Sequence, residues 1–187
     1  MKKLRMAALL LALCLLPAGL AGCQSGGSDA PDADAIMSEA MLAYQCFVQF
    51  SVKVDQTITG EVEIDGRSMR PVIDPRFSSM ADLRAYAKEY FSDEICDQLL
   101  SQGHYLEQDG RLYSDNFDYA IDQSIAEVIY EQASRTTDEA RYLARVIRLA
   151  RNAKGEETSR MEETYEYVSK KTDRGWVFVS FPYFWAG

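Results

Sequence analysis

The sequence predicts an α+β domain in which N-terminal helices pack on a curved, mostly antiparallel β-sheet, and three observations predict it. Apolar residues recur at helical spacing early in the chain, at Met37, Met41, Tyr44, Phe47 and Val48, and again at Met80, Leu83, Tyr86, Ala87 and Tyr90. From Tyr105 onward the pattern becomes alternation, with β-branched and aromatic runs separated by turn residues. The helices precede the strands instead of alternating with them, which is the order of an α+β fold.

The first helix is expected from Asp34 to Ser51, with Asp32 or Asp34 as its N-cap. Val62 and Ile64 then alternate with Glu61 and Glu63, Asp65-Gly66 is a tight-turn dipeptide, and Ser68 to Ile73 extends again until Asp74-Pro75, which spells a hairpin. Ser79 with Asp82 three residues on has the form of a capping box for the second helix. Ser92 caps a shorter third helix through Ile95, Leu99 and Leu100, closed by Gly103. Tyr105 to Gln108, Asp109-Gly110 and Arg111 to Ser114 read as a second hairpin.

Three long antiparallel strands follow. They are Ile125 to Glu131, the stretch in which Met161, Glu163, Tyr165 and Tyr167 share one parity, and Trp176 to Phe181 after the turn Thr172-Asp173-Arg174-Gly175. Glu139 to Arg151 suits either state: Ala140, Leu143, Ala144 and Ile147 fit a helix face, whereas Leu143, Ile147 and Leu149 with arginines between them fit a strand. The strand is preferred, because Asn152 to Glu157 then joins it to the next strand as a hairpin. A sheet of such strands curves around a concave pocket, covered by the helices.

Ahead of this domain the chain reads as an address. Lys2, Lys3 and Arg5 form a positive n-region, and Met6 to Pro17 is an apolar run too short to span a bilayer comfortably. Leu20, Ala21 and Gly22 precede Cys23 as a lipoprotein signal peptidase requires, so residues 1–22 are expected to be removed and Cys23 to carry diacylglycerol. Residues 23–34 are then the lipidated N-terminus and a flexible spacer of Gly, Ser, Pro and Asp, and 35–187 are one globular domain. The expected location is the extracytoplasmic side of the cell membrane, held there by lipid.

Composition narrows the partners. The chain holds 20 Lys and Arg against 29 Asp and Glu, and without the three basic residues of the leader 17 positive charges face 29 negative ones, a formal −12. That balance argues against nucleic acid and anionic polymers and favours a basic protein, a cation or plain solubility. Cys46 and Cys96 remain in the domain, and outside the membrane both a disulfide and two buried thiols are open to them.

No chemistry announces itself. His104 is the single histidine, the cysteines lack partners at metal-ligand spacing, and there is no phosphate loop, nucleophile elbow or zinc-protease helix, so neither cofactor nor enzyme is expected. Glu61, Glu63, Glu107, Asp109, Asp118, Asp122 and Glu163 could in pairs flank a sugar or hold calcium, but in a chain this acidic they read first as solvated faces. Tyr165, Tyr167, Trp176, Phe178, Phe181, Tyr183, Phe184 and Trp185 crowd the C-terminal strands, mostly as core, with some free to line a cleft.

The segments "DLRAYAKEYFSDEICDQLL" (82–100), "YLEQDGRLY" (105–113) and "ETYEYVSKKTDRGWVFVSFPYFW" (163–185) resemble the IseA family of DL-endopeptidase inhibitors. The firmest points are Phe91-Ser92, Asp109-Gly110 before Leu112-Tyr113, Gly175-Trp176 and Phe181-Pro182. The layout is also similar to the broader NTF2-like lipoproteins. The resemblance to the inhibitors implies a secreted Gram-positive protein that blocks NlpC/P60-type peptidases of peptidoglycan through an acidic surface and a loop between strands. The connection from Asp115 to Asp122, with Phe117, Asp118 and Tyr119, is the segment placed in that role. The partner so implied is a basic cell-wall endopeptidase; the NTF2-like alternative implies a small ligand or a scaffolding role.

Overall fold

The computed structural model describes residues 32–49, 52–56, 62–115 and 122–185. Leu20, Ala21, Gly22 and Cys23 lie outside them, as do Glu61, Phe117, Asp118 and Tyr119. None of the helices among the described residues is long and apolar enough to cross a membrane.

Helix α1 (Ala33–Val48) starts where the Asp32 carboxylate accepts from the Asp34 amide at 3.4 Å. Ala33 and Asp34 are therefore helix and not spacer, because the cap lies two residues earlier than the end of the expected spacer. Its buried face is Met37, Ala40, Met41, Ala43, Cys46 and Phe47. Strands β1 (Val62–Ile64) and β2 (Arg67–Pro71) form the first hairpin, with Asp65 at φ 51° and Gly66 at φ 74° as the two positive-φ residues that a type I′ turn requires.

Helix α2 (Met80–Tyr90) carries the reciprocal Ser79–Asp82 capping box, and α3 (Asp93–Ser101) starts at Ser92, whose hydroxyl accepts from the Ile95 amide at 3.5 Å. Strands β3 (Tyr105–Gln108) and β4 (Arg111–Asp115) make the second hairpin. Strands β5 (Ile125–Arg135), β6 (Glu139–Arg151), β7 (Glu157–Thr172) and β8 (Gly175–Ser180) complete the chain. The architecture is α+β, as expected, with the first hairpin placed between α1 and α2 and the long strands after all three helices.

There are two antiparallel sheets and not one. The hairpins join through β2 and β4 into the order β1-β2-β4-β3, and β5 to β8 form a second sheet in chain order. Glu139–Arg151 is a strand, but its core face is not the one the leucine spacing suggests. Ala140, Tyr142, Ala144 and Val146 are buried, whereas Arg141, Leu143, Arg145 and Ile147 take the opposite parity, on which Ile147 is the buried one. The two alanines, fully buried, leave room on this face for the bulky side chains packed over it.

The space in front of the second sheet is filled. Phe91, Phe178 and Phe181 pack on one another, Tyr44 of α1 stacks on Phe181 with centroids 5.0 Å apart, and Tyr167 meets Phe181 edge-on at 4.8 Å. Phe47, Met37, Leu83 and Phe184 close the same core. Two clefts open along the flanks of α1 among the described residues.

A candidate functional site beside the first helix

The first of these clefts has a volume of about 210 Å³ and is assembled from six elements. Helix α1 contributes Ile36 and Glu39, which share a face at i, i+3. The C-terminal end of α2 contributes Glu89 and Tyr90, and β6, β7 and β8 supply Tyr142, Ser169, Trp176 and Phe178 from their inward faces. Arg135 reaches it through a β-bulge. On β5 the inward residues are Val128, Tyr130 and Gln132, paired with Val146, Ala144 and Tyr142; a register shift between Gln132 and Ser134 then places Arg135 opposite the inward Ala140.

Arg135 lies over the Trp176 ring with its guanidinium carbon 4.9 Å from the centroid. Glu39 and Glu89 are solvent-exposed at the rim and take part in no ion pair among the described residues. Burial, reinforced by Glu39 and Glu89, pushes the Tyr90 hydroxyl above its ordinary range. Ser169 is 3% exposed, and its hydroxyl has no hydrogen-bond partner among the described residues. The second cleft, about 440 Å³, is a shallow apolar groove between Met41, Leu42 and Gln45 of α1 and the start of β5, with Trp185 at its edge.

Asp115 and Asp122, the described residues of the expected loop, do not line this cleft. Asp115 pairs with His104 Nδ1 at 2.9 Å. Asp122 accepts from the Ser124 amide at 2.8 Å and from Arg148, whose guanidinium also reaches Glu163 at 2.8 Å and the Phe184 carbonyl at 2.7 Å. Hydrogen bonds from Ser124 and the charge of Arg148 hold the Asp122 carboxyl below its usual range, and Arg148 followed by Tyr165 does the same for Glu163. These carboxylates are fastenings of the fold, joining β5, β6, β7 and the C-terminal segment. Asp115 and Asp122 are thus each held by partners in the described framework.

Glu107 accepts from the Met80 amide at 2.9 Å and so also serves a helix start. Among the described residues no group of three or more His, Cys, Asp and Glu side chains converges as a metal site. Cys46 and Cys96 are both buried thiols and not a disulfide. Each instead donates toward a main-chain carbonyl, Cys46 to Leu42 at 3.5 Å and Cys96 to Phe91 at 3.7 Å.

Trp176 and Phe178 belong to the aromatic crowding visible in the sequence. Glu39, Glu89, Arg135 and Ser169 carry no local signal, because they come from four elements and one of them depends on a bulge. No protein-family model and no curated protein matches the chain.

Proposed function

We propose that this chain is a lipid-anchored extracytoplasmic protein that acts by binding, and that its partner is a basic cell-wall DL-endopeptidase whose activity it restrains. The observation that supports this reading is the pairing of a filled interior with an open, aromatic cleft rimmed by Glu39 and Glu89. An enclosed apolar cavity would suit a buried small ligand, whereas a surface cleft with exposed carboxylates suits a protruding basic group. The negative balance of the whole chain steers a basic protein in the same direction. The 116–121 connection offers a second contact, since its flanking residues Asp115 and Asp122 are fixed to the framework by His104 and Arg148.

Turnover of purified peptidoglycan by an NlpC/P60 endopeptidase, with and without the full chain in detergent at low and high salt, tests the reading. Stoichiometric, salt-sensitive inhibition that is weakened by Glu39→Gln with Glu89→Gln is expected. Unchanged turnover with every such peptidase of the organism would remove this partner. A small-molecule ligand is the second reading, favoured by the buried Ser169 hydroxyl at the cleft.

A further inference from the structure

We infer that the cleft between α1, α2 and the second sheet is a site for an organic ammonium group, with Glu39 and Glu89 as counter-charges and the Ser169 hydroxyl as hydrogen-bond acceptor. This rests on the reading of the cleft as a binding site and names the chemistry that it selects.

Two independent features select positive charge, and a third can accept a hydrogen bond from it. The ionisable side chains lining the cleft are two carboxylates and one guanidinium besides the Tyr90 and Tyr142 phenols, and neither carboxylate is engaged in an ion pair among the described residues. An anion would therefore meet net repulsion, while a cation would meet two open acceptors. The walls are π faces, from Tyr90, Tyr142, Trp176 and Phe178, and the Trp176 face already holds the Arg135 cation at 4.9 Å. A face that stabilises a guanidinium stabilises an alkylammonium by the same quadrupole attraction.

The third feature is the unpartnered Ser169 hydroxyl, almost wholly buried where β7 lines the cleft. A hydroxyl offers two lone pairs, and an ammonium offers three donors and no acceptor, so the two are complementary. Buried polar groups in folded proteins are nearly always satisfied, which leaves this hydroxyl, able to accept as well as donate, open to an external partner. The volume of about 210 Å³ lies below the ~300–1,000 Å³ of drug-sized ligand sites, so it suits one amine group with a short apolar arm.

Such a group can arrive as a free amine or as the lysine side chain of a protein partner, and two probes separate these sources. The full chain in detergent, with Trp185→Phe so that Trp176 is its one tryptophan, is titrated with 2-phenylethylammonium and with a blocked lysine, Nα-acetyl-lysine methylamide. Neutral 2-phenylethanol and the anion 3-phenylpropionate are the congeners. Trp176 fluorescence and calorimetry report binding.

At least one ammonium probe is expected to bind roughly tenfold more tightly than the alcohol and the carboxylate, and the tighter of the two identifies the source. Glu39→Gln with Glu89→Gln should weaken that binding on the order of fivefold. Arg135→Gln should strengthen it severalfold, because it removes both a competing cation and a like charge. Equal binding of the alcohol, or weaker ammonium binding in Arg135→Gln, would overturn the ammonium assignment while leaving a ligand site. If none of the four probes binds, the cleft itself is rejected as a site for small groups, and the peptidase assay then stands alone for the protein partner.

Discussion

Ser169→Ala should make the free protein more stable and its binding weaker. The Ser169 side chain is 3% exposed and its hydroxyl lacks a partner among the described residues, so folding removes it from water without replacing the hydrogen bond it made there. An unsatisfied buried hydroxyl costs about 1–3 kcal/mol. Alanine deletes the oxygen, keeps the Cβ and leaves a void smaller than a methyl group, so the lower end of that range, about 1 kcal/mol, is the expected gain.

In a domain of this size 1 kcal/mol raises Tm by roughly 2–4 °C, which urea unfolding and calorimetry both resolve. Binding of the ammonium probe should fall on the order of tenfold, the lower end of the roughly 1.5–3 kcal/mol that one hydrogen bond to a charged donor contributes. Two controls bracket the result. Ser92→Ala removes the helix cap that accepts from the Ile95 amide and should destabilise by about 1 kcal/mol. Tyr167→Phe removes another buried hydroxyl without a partner, outside the cleft, and should stabilise without touching affinity. A loss of 1 kcal/mol or more in Ser169→Ala would show that the hydroxyl is satisfied and structural; a gain with unchanged affinity would show that it does not face a ligand.

Further perturbations follow from the fastenings of the fold. Asp74, whose carboxylate receives Arg76 at 2.8 and 3.0 Å, is held at about 2, chiefly by these side-chain hydrogen bonds, against an ordinary 3.8. Its folded pKa lies below the unfolded one, so its contribution of roughly 2 kcal/mol is complete above about pH 4 and lost as pH falls toward about 2. Asp74→Asn should therefore cost roughly that much at pH 7 and almost nothing at about pH 2, measured by denaturant unfolding across pH; a penalty independent of pH would assign it to turn geometry instead. Arg148→Met should cost about 2 kcal/mol, because it leaves Asp122 and Glu163 facing each other and releases the Phe184 carbonyl, with faster amide exchange near residues 181–185 as the local readout. Reductant should leave the unfolding midpoint unchanged, and the Cys46 and Cys96 thiols should both titrate in denaturant but react slowly in the native domain, as expected for two buried Cys residues; a midpoint that drops with reductant would reveal a disulfide.

The local elements were legible because their signals are local. Asp65-Gly66 and Asp109-Gly110 are turn dipeptides whose positive φ needs no tertiary help, Ser79 and Ser92 cap helices with their own side chains, and the 139–151 strand was implied by the turn that follows it. The joining of two distant hairpins through β2 and β4 was not legible, since main-chain pairing between Arg70 and Ser114 leaves no mark on either segment. Nor was the face of β6, where the sequence offers leucine and isoleucine at one parity and alanine and tyrosine at the other; the fold turns Ala140, Tyr142, Ala144 and Val146 to the core, where the small alanines leave room for the rings packed over them, and of the first set buries Ile147.

The sequence by itself determined the order of helices and strands, the caps and turns, the acidic balance, and the Leu20-Ala21-Gly22-Cys23 motif on which the expectation of a lipid anchor rests. Only the tertiary structure decided where a partner could bind. A cleft is made of residues brought together from α1, α2, β5, β6, β7 and β8, and one bulge in β5 is enough to aim Arg135 into it instead of away. Local structure follows from interactions between neighbours in the chain, whereas the charge and shape of a site are sums over side chains that only the fold brings together.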